Sequence, residues 1–255
     1  MLEIGFVSSS NPGALANSTA GLTTIASLLC PSESLTHQAS FGGSWGGSNY
    51  AGNYGGPGSI ASCSGIIVPS KGDLFVPANN LGPVSLAAVT DGSSNTGMYS
   101  EHLLGYWSSG SDNVSTSPAF AGSGFAKRSL FQVNSVKPIP DQGAAGATTA
   151  LQLMAGCNSL PYGTAPSADG SPGANWMFSQ GFDTMDVSYT HLMTPNKYSC
   201  TGAESGFFGA QGNFSSDGSG GGYTAASTAT SNHPGGVNVC MGDGSVRFIL
   251  LAAQD

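Results

Sequence analysis

The clearest hydrophobic pattern in the chain lies near its C-terminus, where apolar and polar positions alternate across residues 237–250. A period of two is typical of a β-strand with one buried face, and Asp243-Gly244 is a favoured two-residue hairpin turn. This turn sets a register in which three apolar pairs share one face: Met241 with Val246, Val239 with Phe248, and Val237 with Leu250. We therefore predict a C-terminal hairpin with Cys240 on its less buried face.

Weaker patterns predict two short helices. Leucine and isoleucine at three- to four-residue spacing predict a helix within 14–30 that runs into a buried strand. A second helix is predicted over 148–156, where Thr148 can cap the first turn and Gly156 can end the last.

Stretches rich in Gly, Ser, Ala and Pro separate the predicted elements, and short strands are predicted at 74–76 and 98–102. Three such stretches are long enough to be loop insertions: about 41–65, 158–175 and 206–232. With 39% hydrophobic residues the chain can bury a core, so we predict one domain over 1–255. Its expected fold class is α+β, mainly β, with an antiparallel sheet, few short helices and long Gly-rich loops.

Aromatic residues mark the first of these loops, where Trp45, Tyr50 and Tyr54 interrupt a Gly-rich sequence. They have two interpretations: anchors that hold a long loop against the core, or a stacking platform for sugar rings. The composition favours anchors, because a Gly-rich loop needs them to stay ordered. Binding of neutral carbohydrate remains the alternative.

The charge content narrows the range of functions. Only 8% of residues are charged, with 6 Lys+Arg against 14 Asp+Glu, and no cationic cluster exceeds Lys127-Arg128. Nucleic acids and anionic membranes are bound through clustered cations, so neither is an expected partner.

No run approaches 18 apolar residues, so no membrane span is expected. The nearly neutral surface favours an exported protein, and because Met1-Leu2-Glu3-Ile4 does not resemble a secretion signal we expect an upstream segment.

No catalytic constellation stands out, and we expect no enzyme activity and no cofactor. An extended strand would hold His233 about 30 Å from Asp243, too far apart for a catalytic dyad. Glu101 is expected to be buried against loop amides, and His191 to bond the backbone of its own loop. Four acidic residues leave paired-carboxylate hydrolysis open as an alternative: Glu101, Asp183, Asp186 and Glu204.

Metal binding is a second open alternative for the polar residues. His191 with Asp186 is one candidate ligand pair. Calcium could be held by Asp183 with Asp186, or by the oxygens of the turn at 91–95. The metal content is therefore left undecided by the sequence.

Five widely spaced cysteines contain no Cys-x-x-Cys pair: Cys30, Cys63, Cys157, Cys200 and Cys240. In an exported chain this favours two disulfides and one unpaired thiol, for which the hairpin position selects Cys240. Three Asn-x-Ser/Thr sequons leave glycosylation open: Asn17, Asn113 and Asn213.

The C-terminal sequence NHPGGVNVCMGDGSVRFI resembles the C-terminal signature of a bacterial family of prepilin-like, or pseudopilin-like, exported proteins of unknown function. The family is marked by a His-x9-Asp-Gly motif, which here runs from His233 to Asp243-Gly244. Three further stretches are similar to the same family, in the same order, and extend the resemblance over nearly the whole chain: LLCPSES at 28–34 leading to SNYAGNYGG at 48–56, AVTDGSSNTGMYSE at 88–101, and YTHLMTPNKYSC at 189–200.

The resemblance implies a pilin-like globular head, which in the family follows a cleaved leader and an apolar helix. Neither segment precedes residue 1 here, so the head alone is expected. It implies a non-catalytic structural subunit of an extracellular or cell-envelope filament or pseudopilus, built from many copies of the chain. An adhesive or ligand-binding module for neutral carbohydrate is the alternative. The expected roles within the motif are structural, with His233 fixing the loop before the strand and Asp243-Gly244 forming the turn.

The resemblance, together with closeness in sequence, also implies the disulfide pairing. Cys30 is expected to pair with Cys63, and Cys157 with Cys200. Each bridge would close a loop of roughly 30–45 residues and stabilise the fold by about 3–4 kcal/mol in the chain-entropy model.

Overall fold

A computed structural model of the protein describes residues 19–35, 38–40, 43–55, 65–67, 84–105, 126–133, 144–161, 164, 173, 176, 188–202 and 225–251. Strands predominate, and the longest helix is α1, Ala144–Asn158. The strands are β1 (Gln38–Ser40), β2 (Gly43–Trp45), β3 (Tyr50–Gly55), β4 (Gly97–Glu101), β5 (Leu130–Val133), β6 (Ser188–Thr190), β7 (Ser199–Gly202), β8 (Ala225–Ala226), β9 (Gly236–Met241) and β10 (Val246–Leu250). Single 3-10 turns occur at Ala26–Leu28, Leu86–Ala88 and Ala126–Arg128. Among the described residues, no helix has the length and apolar character that crossing a bilayer requires.

The larger sheet has five strands in the order β10-β9-β4-β3-β6. It is mixed, because β3 runs parallel to β6 while the other neighbours are antiparallel. The predicted antiparallel sheet is therefore only part of the architecture, although the mainly β, mixed character is confirmed. The predicted loop at 41–65 is wrong in part, since it contains β2 and β3. The small residues of β3 have a poor intrinsic preference for strands. They form one because β3 is paired with β4 on one side and β6 on the other, and this pairing outweighs the preference.

One face of this sheet is buried and forms a core. Strand β9 alternates as the sequence pattern predicts, with Val237, Val239 and Met241 buried and Asn238 and Cys240 half-buried. The core beneath this face is a cluster of six residues: Ala51, Tyr189, Ala229, Val237, Val239 and Met241. The predicted strand through Met98 is confirmed as β4, which lies between β3 and β9.

The C-terminal hairpin exists, but its predicted register is wrong by one residue. The Met241 amide donates to the Ser245 carbonyl, so the loop has three residues instead of two. Gly244 has a φ of +84° and its amide donates to the Met241 carbonyl, as in a type I turn closed by a left-handed glycine. The extra loop residue pairs Phe248 with Asn238 rather than with Val239. Val246, Phe248 and Leu250 consequently leave the buried face, whereas Arg247 and Ile249 lie opposite Val239 and Val237.

The smaller sheet has three strands in the order β5-β7-β8, with β5 parallel to β7. Helix α1 packs on it through Ala150, Leu153 and Cys157, which are buried with Phe131 of β5. The predicted helix is confirmed in existence but not in its ends, because α1 begins at Ala144, before the predicted cap Thr148, and continues past Gly156 to Asn158. A side chain at Gly156 would overlap Val133 of β5, so its role is close helix–sheet packing.

The Cys157–Cys200 disulfide joins α1 to β7 across 43 residues, as the resemblance implied. The predicted Cys30–Cys63 bridge is wrong for Cys30, which is a buried free thiol. Cys63 lies outside the described residues. Cys240 is free, as predicted from its place in the hairpin.

The first predicted helix is reduced to a short segment, with a single 3-10 turn at Ala26–Leu28, and Leu22 is exposed. The segment then turns at Cys30 instead of entering a strand, because the Glu33 amide donates to the Cys30 carbonyl. Several other predictions fall outside the described residues: the strand at 74–76, the three sequons, and the carboxylates of Asp183, Asp186 and Glu204.

Candidate functional site

Three side chains with metal-ligating chemistry meet although they are far apart in the sequence. Cys30 follows the first 3-10 turn, Glu101 ends β4, and His233 lies in the loop before β9. Glu101 Oε1 is 3.0 Å from His233 Nε2 and 3.6 Å from Cys30 Sγ, and the sulfur is 3.5 Å from the same nitrogen. One ligand atom from each residue therefore faces a common point, and we call these residues the Cys–Glu–His cluster.

Glu101 is placed by its position at the end of β4. The pairing of β4 with β9 has an irregularity between Gly97 and Tyr99 and extends to Ser100 opposite Val239, and beyond it the Glu101 carboxylate replaces the next backbone partner. Its Oε2 accepts from the Asn238 amide at 2.7 Å, and its Oε1 accepts from the Asn238 side chain at 3.0 Å. Glu101 is therefore buried, as predicted, but its carboxylate is bonded to Asn238 of β9 rather than to loop amides, and Asn238 is the residue that orients it.

Cys30 is held against the sheet by Asn49, which directly precedes β3. The Asn49 side chain accepts from the Cys30 amide at 2.9 Å, and the Asn49 amide donates to the Leu28 carbonyl. The Cys30 thiol also lies 3.1 Å from the Ser32 hydroxyl. The turn is thus fixed on both sides of the sulfur.

His233 is positioned by a loop with many hydrogen bonds. Its amide donates to the Ser231 hydroxyl, which itself donates to the Gly236 carbonyl. Its ring is edge-on to Phe248 of β10, with ring centroids 6.5 Å apart. Although His233 and Asp243 share a sequence motif, Asp243 accepts from Ser245 at the exposed hairpin tip. His233 and Asp243 therefore make their hydrogen bonds in different parts of the molecule, in agreement with the separation expected from the length of the strand.

A second polar cluster lies beside the first and has a different character. Arg128 makes two hydrogen bonds to the Glu33 carboxylate, of 2.6 and 2.9 Å, and the two side chains are only 3% and 1% exposed. Asn49 also donates to Glu33, at 2.8 Å. Asn49 therefore connects the two clusters.

The environment shifts the pKa values of two groups in this second cluster. Burial alone would raise the pKa of Glu33, but hydrogen bonds from Arg128 and from the Leu35 and Leu104 amides, with the Arg128 charge, outweigh it and lower this pKa. Burial lowers the pKa of His102 to about 4, so this imidazole is neutral near pH 7. Its Nδ1 donates to the Leu103 carbonyl, while its Nε2 has no partner within the described part of the chain.

Of the other predicted site residues that the structure describes, Tyr50 lies beside this cluster, opposite Glu101 in the β3–β4 pairing. Tyr50 is 39% exposed at the start of β3, while the side chains of Trp45 and Tyr54 lie outside what the structure describes. The His191 amide donates to Gly55, and its ring is edge-on to Tyr189. Asp91 and Asn95 form a turn in which the Asn95 side chain donates to the Asp91 carbonyl. Sequence reasoning missed the meeting of Cys30 with Glu101 and His233, for which the chain has no local spacing signal.

The fold and the site together define a mainly β, disulfide-containing protein with a cysteine–glutamate–histidine cluster at the end of the central strand of a mixed sheet. The chain belongs to the family described as Protein of unknown function (DUF1559), whose model matches residues 3–252. No curated protein and no solved structure matches the chain.

Proposed function

We propose that the protein is a non-catalytic structural subunit of an extracellular or cell-envelope filament or pseudopilus of the pilin-like type. The observation that carries the proposal is the free, apolar edge of the five-stranded sheet. The partner at this edge is a second copy of the chain. The following points support the proposal.

Strand β10 is exposed along its whole length, although four of its five residues are apolar. Val246 and Leu250 are 67% and 69% exposed, and Phe248 is 44% exposed. Leu251 continues the apolar surface beyond the strand. A contiguous apolar edge of this kind marks an interaction surface, because a soluble monomer normally protects such an edge with charge, proline or a covering segment.

Within the part of the chain that the structure describes, no strand pairs with the outer side of β10. Hydrogen bonds to β9 use Ser245 at one end and Leu251 at the other. In an antiparallel ladder the bonded positions alternate, so the amides and carbonyls of Val246, Phe248 and Leu250 point away from β9. The same three residues therefore offer both backbone groups and apolar side chains to an added strand.

The composition is compatible with close packing between copies. Because only 8% of the residues are charged, few charges lose water when two surfaces meet. The Cys157–Cys200 disulfide supports an oxidising location outside the cytoplasm. The His-x9-Asp-Gly motif of the prepilin-like family supplies the resemblance to filament subunits, and its Asp243-Gly244 forms the tip that brings β10 to the sheet edge.

The proposal is tested with the native protein carrying its authentic N-terminus. We expect it to sediment as large assemblies and to give ordered fibres in electron micrographs. Leu250→Lys should abolish these assemblies, because a charge at the edge disfavours strand addition. The matched control is Leu86→Lys, since Leu86 is equally exposed at 69% but lies in a 3-10 turn away from the sheet. A native protein that stays monomeric at high concentration, or assembly that survives Leu250→Lys, contradicts the proposal.

Carbohydrate binding is supported by one specific observation. Tyr50 lies opposite Glu101 and Tyr99 lies opposite Gly52, so the two exposed tyrosines occupy the same face of the sheet on neighbouring strands. Two rings at diagonal positions can stack on a sugar. Glycan-array binding that is lost in Tyr50→Ala, by a protein that does not form fibres, would establish this alternative instead.

A further inference from the structure

We propose that the Cys–Glu–His cluster is a binding site for one divalent transition-metal ion of the zinc type. Cys30 Sγ, Glu101 Oε1 and His233 Nε2 are the ligands, and a fourth position is open to water or to another ligand. This inference is independent of the filament proposal, because it rests on the geometry of the cluster alone.

The spacing of the three ligand atoms suits a tetrahedral ion. They form a nearly equilateral triangle with sides of 3.0, 3.5 and 3.6 Å. Zinc binds oxygen and nitrogen at about 2.0–2.2 Å and sulfur at about 2.3 Å, so two ligands of a tetrahedral site lie about 3.3–3.6 Å apart. Only small movements of the side chains are therefore needed to admit the ion.

The donor set selects the class of metal. One sulfur, one imidazole nitrogen and one carboxylate oxygen suit zinc and similar transition metals, whereas calcium and magnesium prefer sites made of oxygen. Cys30 as a thiolate and Glu101 as a carboxylate together balance the charge of a divalent ion. The cluster itself contains no Lys or Arg for these two anions, and the Arg128 guanidinium is bonded to Glu33.

The surroundings of the ligands resemble the outer shell of a metal site. Asn238 holds both oxygens of Glu101, and the Ser32 hydroxyl lies beside the Cys30 sulfur. Asn49 fixes the backbone at Cys30. Such partners set the orientation of the ligands before the ion arrives, and they normally contribute to its affinity.

The burial of the cluster allows an ion to reach it from one side. The Glu101 side chain is only 6% exposed, but that of His233 is 32% exposed. The accessible imidazole provides the route for the ion, and the same side leaves room for the fourth ligand. An open fourth position distinguishes this site from the closed four-ligand sites that serve only to stabilise a fold.

The experiment uses the full chain with its Cys157–Cys200 disulfide intact, stripped of metal by a chelator. Calorimetric titration with Zn²⁺ should give one equivalent bound per chain, and Ca²⁺ should give no heat. Addition of Co²⁺ should produce the strong visible absorption of a four-coordinate cobalt site and a near-ultraviolet thiolate-to-metal band. The cobalt spectrum needs no variant, so it tests the proposal even if the altered chains fail to fold.

Four variants assign the ligands. Cys30→Ser and His233→Ala should each abolish the cobalt spectrum and the one-equivalent Zn²⁺ binding. Asn238→Ala should keep the site but weaken Zn²⁺ binding by about 10- to 100-fold. Cys240→Ser is the matched control, because Cys240 is the other free thiol among the described residues and lies outside the cluster. Absence of the thiolate band in the native chain, or its presence in Cys30→Ser and its loss in Cys240→Ser, overturns the proposal.

Discussion

Glu33 and Glu101 are both buried carboxylates on the same side of the molecule, but their partners differ in kind. Glu33 accepts two bonds from Arg128, one from Asn49 and one each from the Leu35 and Leu104 amides. Glu101 is bonded to neutral Asn238 and faces an imidazole and a thiol. The first carboxylate is neutralised by a permanent cation, and the second is not.

This difference distinguishes a structural site at Glu33 from a site at Glu101 whose side chains are still able to bind a ligand. Both oxygens of the Glu33 carboxylate accept hydrogen bonds from groups of the protein itself. The role of this cluster is therefore to hold β4, the Cys30 turn and Arg128 together. The groups around Glu101 can exchange protons or bind an ion, because a histidine, a thiol and a carboxylate all change protonation or ligation. In a chain with so few charges, the buried carboxylate without a cation marks the functional candidate.

The largest expected effect is on the Glu33 cluster. Glu33→Gln should lower the free energy of unfolding by about 3–5 kcal/mol, because Arg128 would remain buried without its counter-charge. Urea denaturation of the metal-free protein measures this loss. The double variant Glu33→Gln with Arg128→Met should recover part of it, since no charge is then left unpaired. Equal stability of Glu33→Gln and the native chain would remove the distinction between the two carboxylates.

The second-largest effect on the free energy of unfolding is expected from low pH, through protonation of His102. Its pKa falls from 6.5 to about 4 on folding because of burial, so the unfolded chain binds the proton more tightly. Stability is therefore complete above pH 6.5 and is lost as the pH falls towards 4, by about 3 kcal/mol. Glu33, whose pKa is lowered, adds a loss only below its ordinary value of 4.5.

The control for the acid effect is His102→Gln, compared with the native chain by denaturation at several pH values between 8 and 4.5. Its stability should depend less on pH over this interval. Burial also lowers the pKa of His191, so a smaller dependence in the same direction should remain. A native chain of constant stability from pH 7 to pH 4.5 would contradict the lowered pKa of His102, because the folded and unfolded chains would then take up the same number of protons over this interval.

The smallest effect is expected at Glu101. In the metal-free protein Glu101→Gln should lower the free energy of unfolding by about 1–3 kcal/mol, because bonds to Asn238 are disturbed but no cation is left unpaired. The same denaturation series as for Glu33→Gln gives the comparison directly. Zn²⁺ should raise the denaturation midpoint of the native chain and leave that of Glu101→Gln unchanged. A loss at Glu101 larger than that at Glu33 would reverse the assignment of the two sites.

Local signals account for what the sequence predicted correctly. The period-two pattern of β9 predicted a strand with one buried face, and the apolar run at 148–156 predicted α1. The hairpin register could not be predicted, because Gly244 has a positive φ both in a two-residue type I′ loop and in a three-residue loop closed by a left-handed glycine. The two loops differ at Asp243, whose φ would be positive in the two-residue loop and is not positive here.

The candidate site depends on contacts that no sequence window contains. Glu33 and Arg128 are 95 residues apart, and Glu101 and His233 are 132 apart. Two features of the sequence nevertheless pointed to the site. His233 belongs to the His-x9-Asp-Gly motif, and in a chain with so few charges each buried carboxylate needs a partner. The Cys30–Cys63 expectation failed at Cys30, whose thiol is free and faces Glu101 and His233.

The separation of Cys30 from His233 has a consequence for the order of events during synthesis. The two residues are 203 positions apart, so at about 5–20 residues per second the thiol waits roughly 10–40 s for its neighbour to emerge from the ribosome. Cys63 and Cys157 emerge within that interval, before Cys200 does. A nascent chain that is oxidised too early can therefore join Cys30 to either of them, although Cys30 is a free thiol in the folded chain. Correct maturation requires that oxidation follow the completion of the chain, or that an isomerase reverse the first bridge.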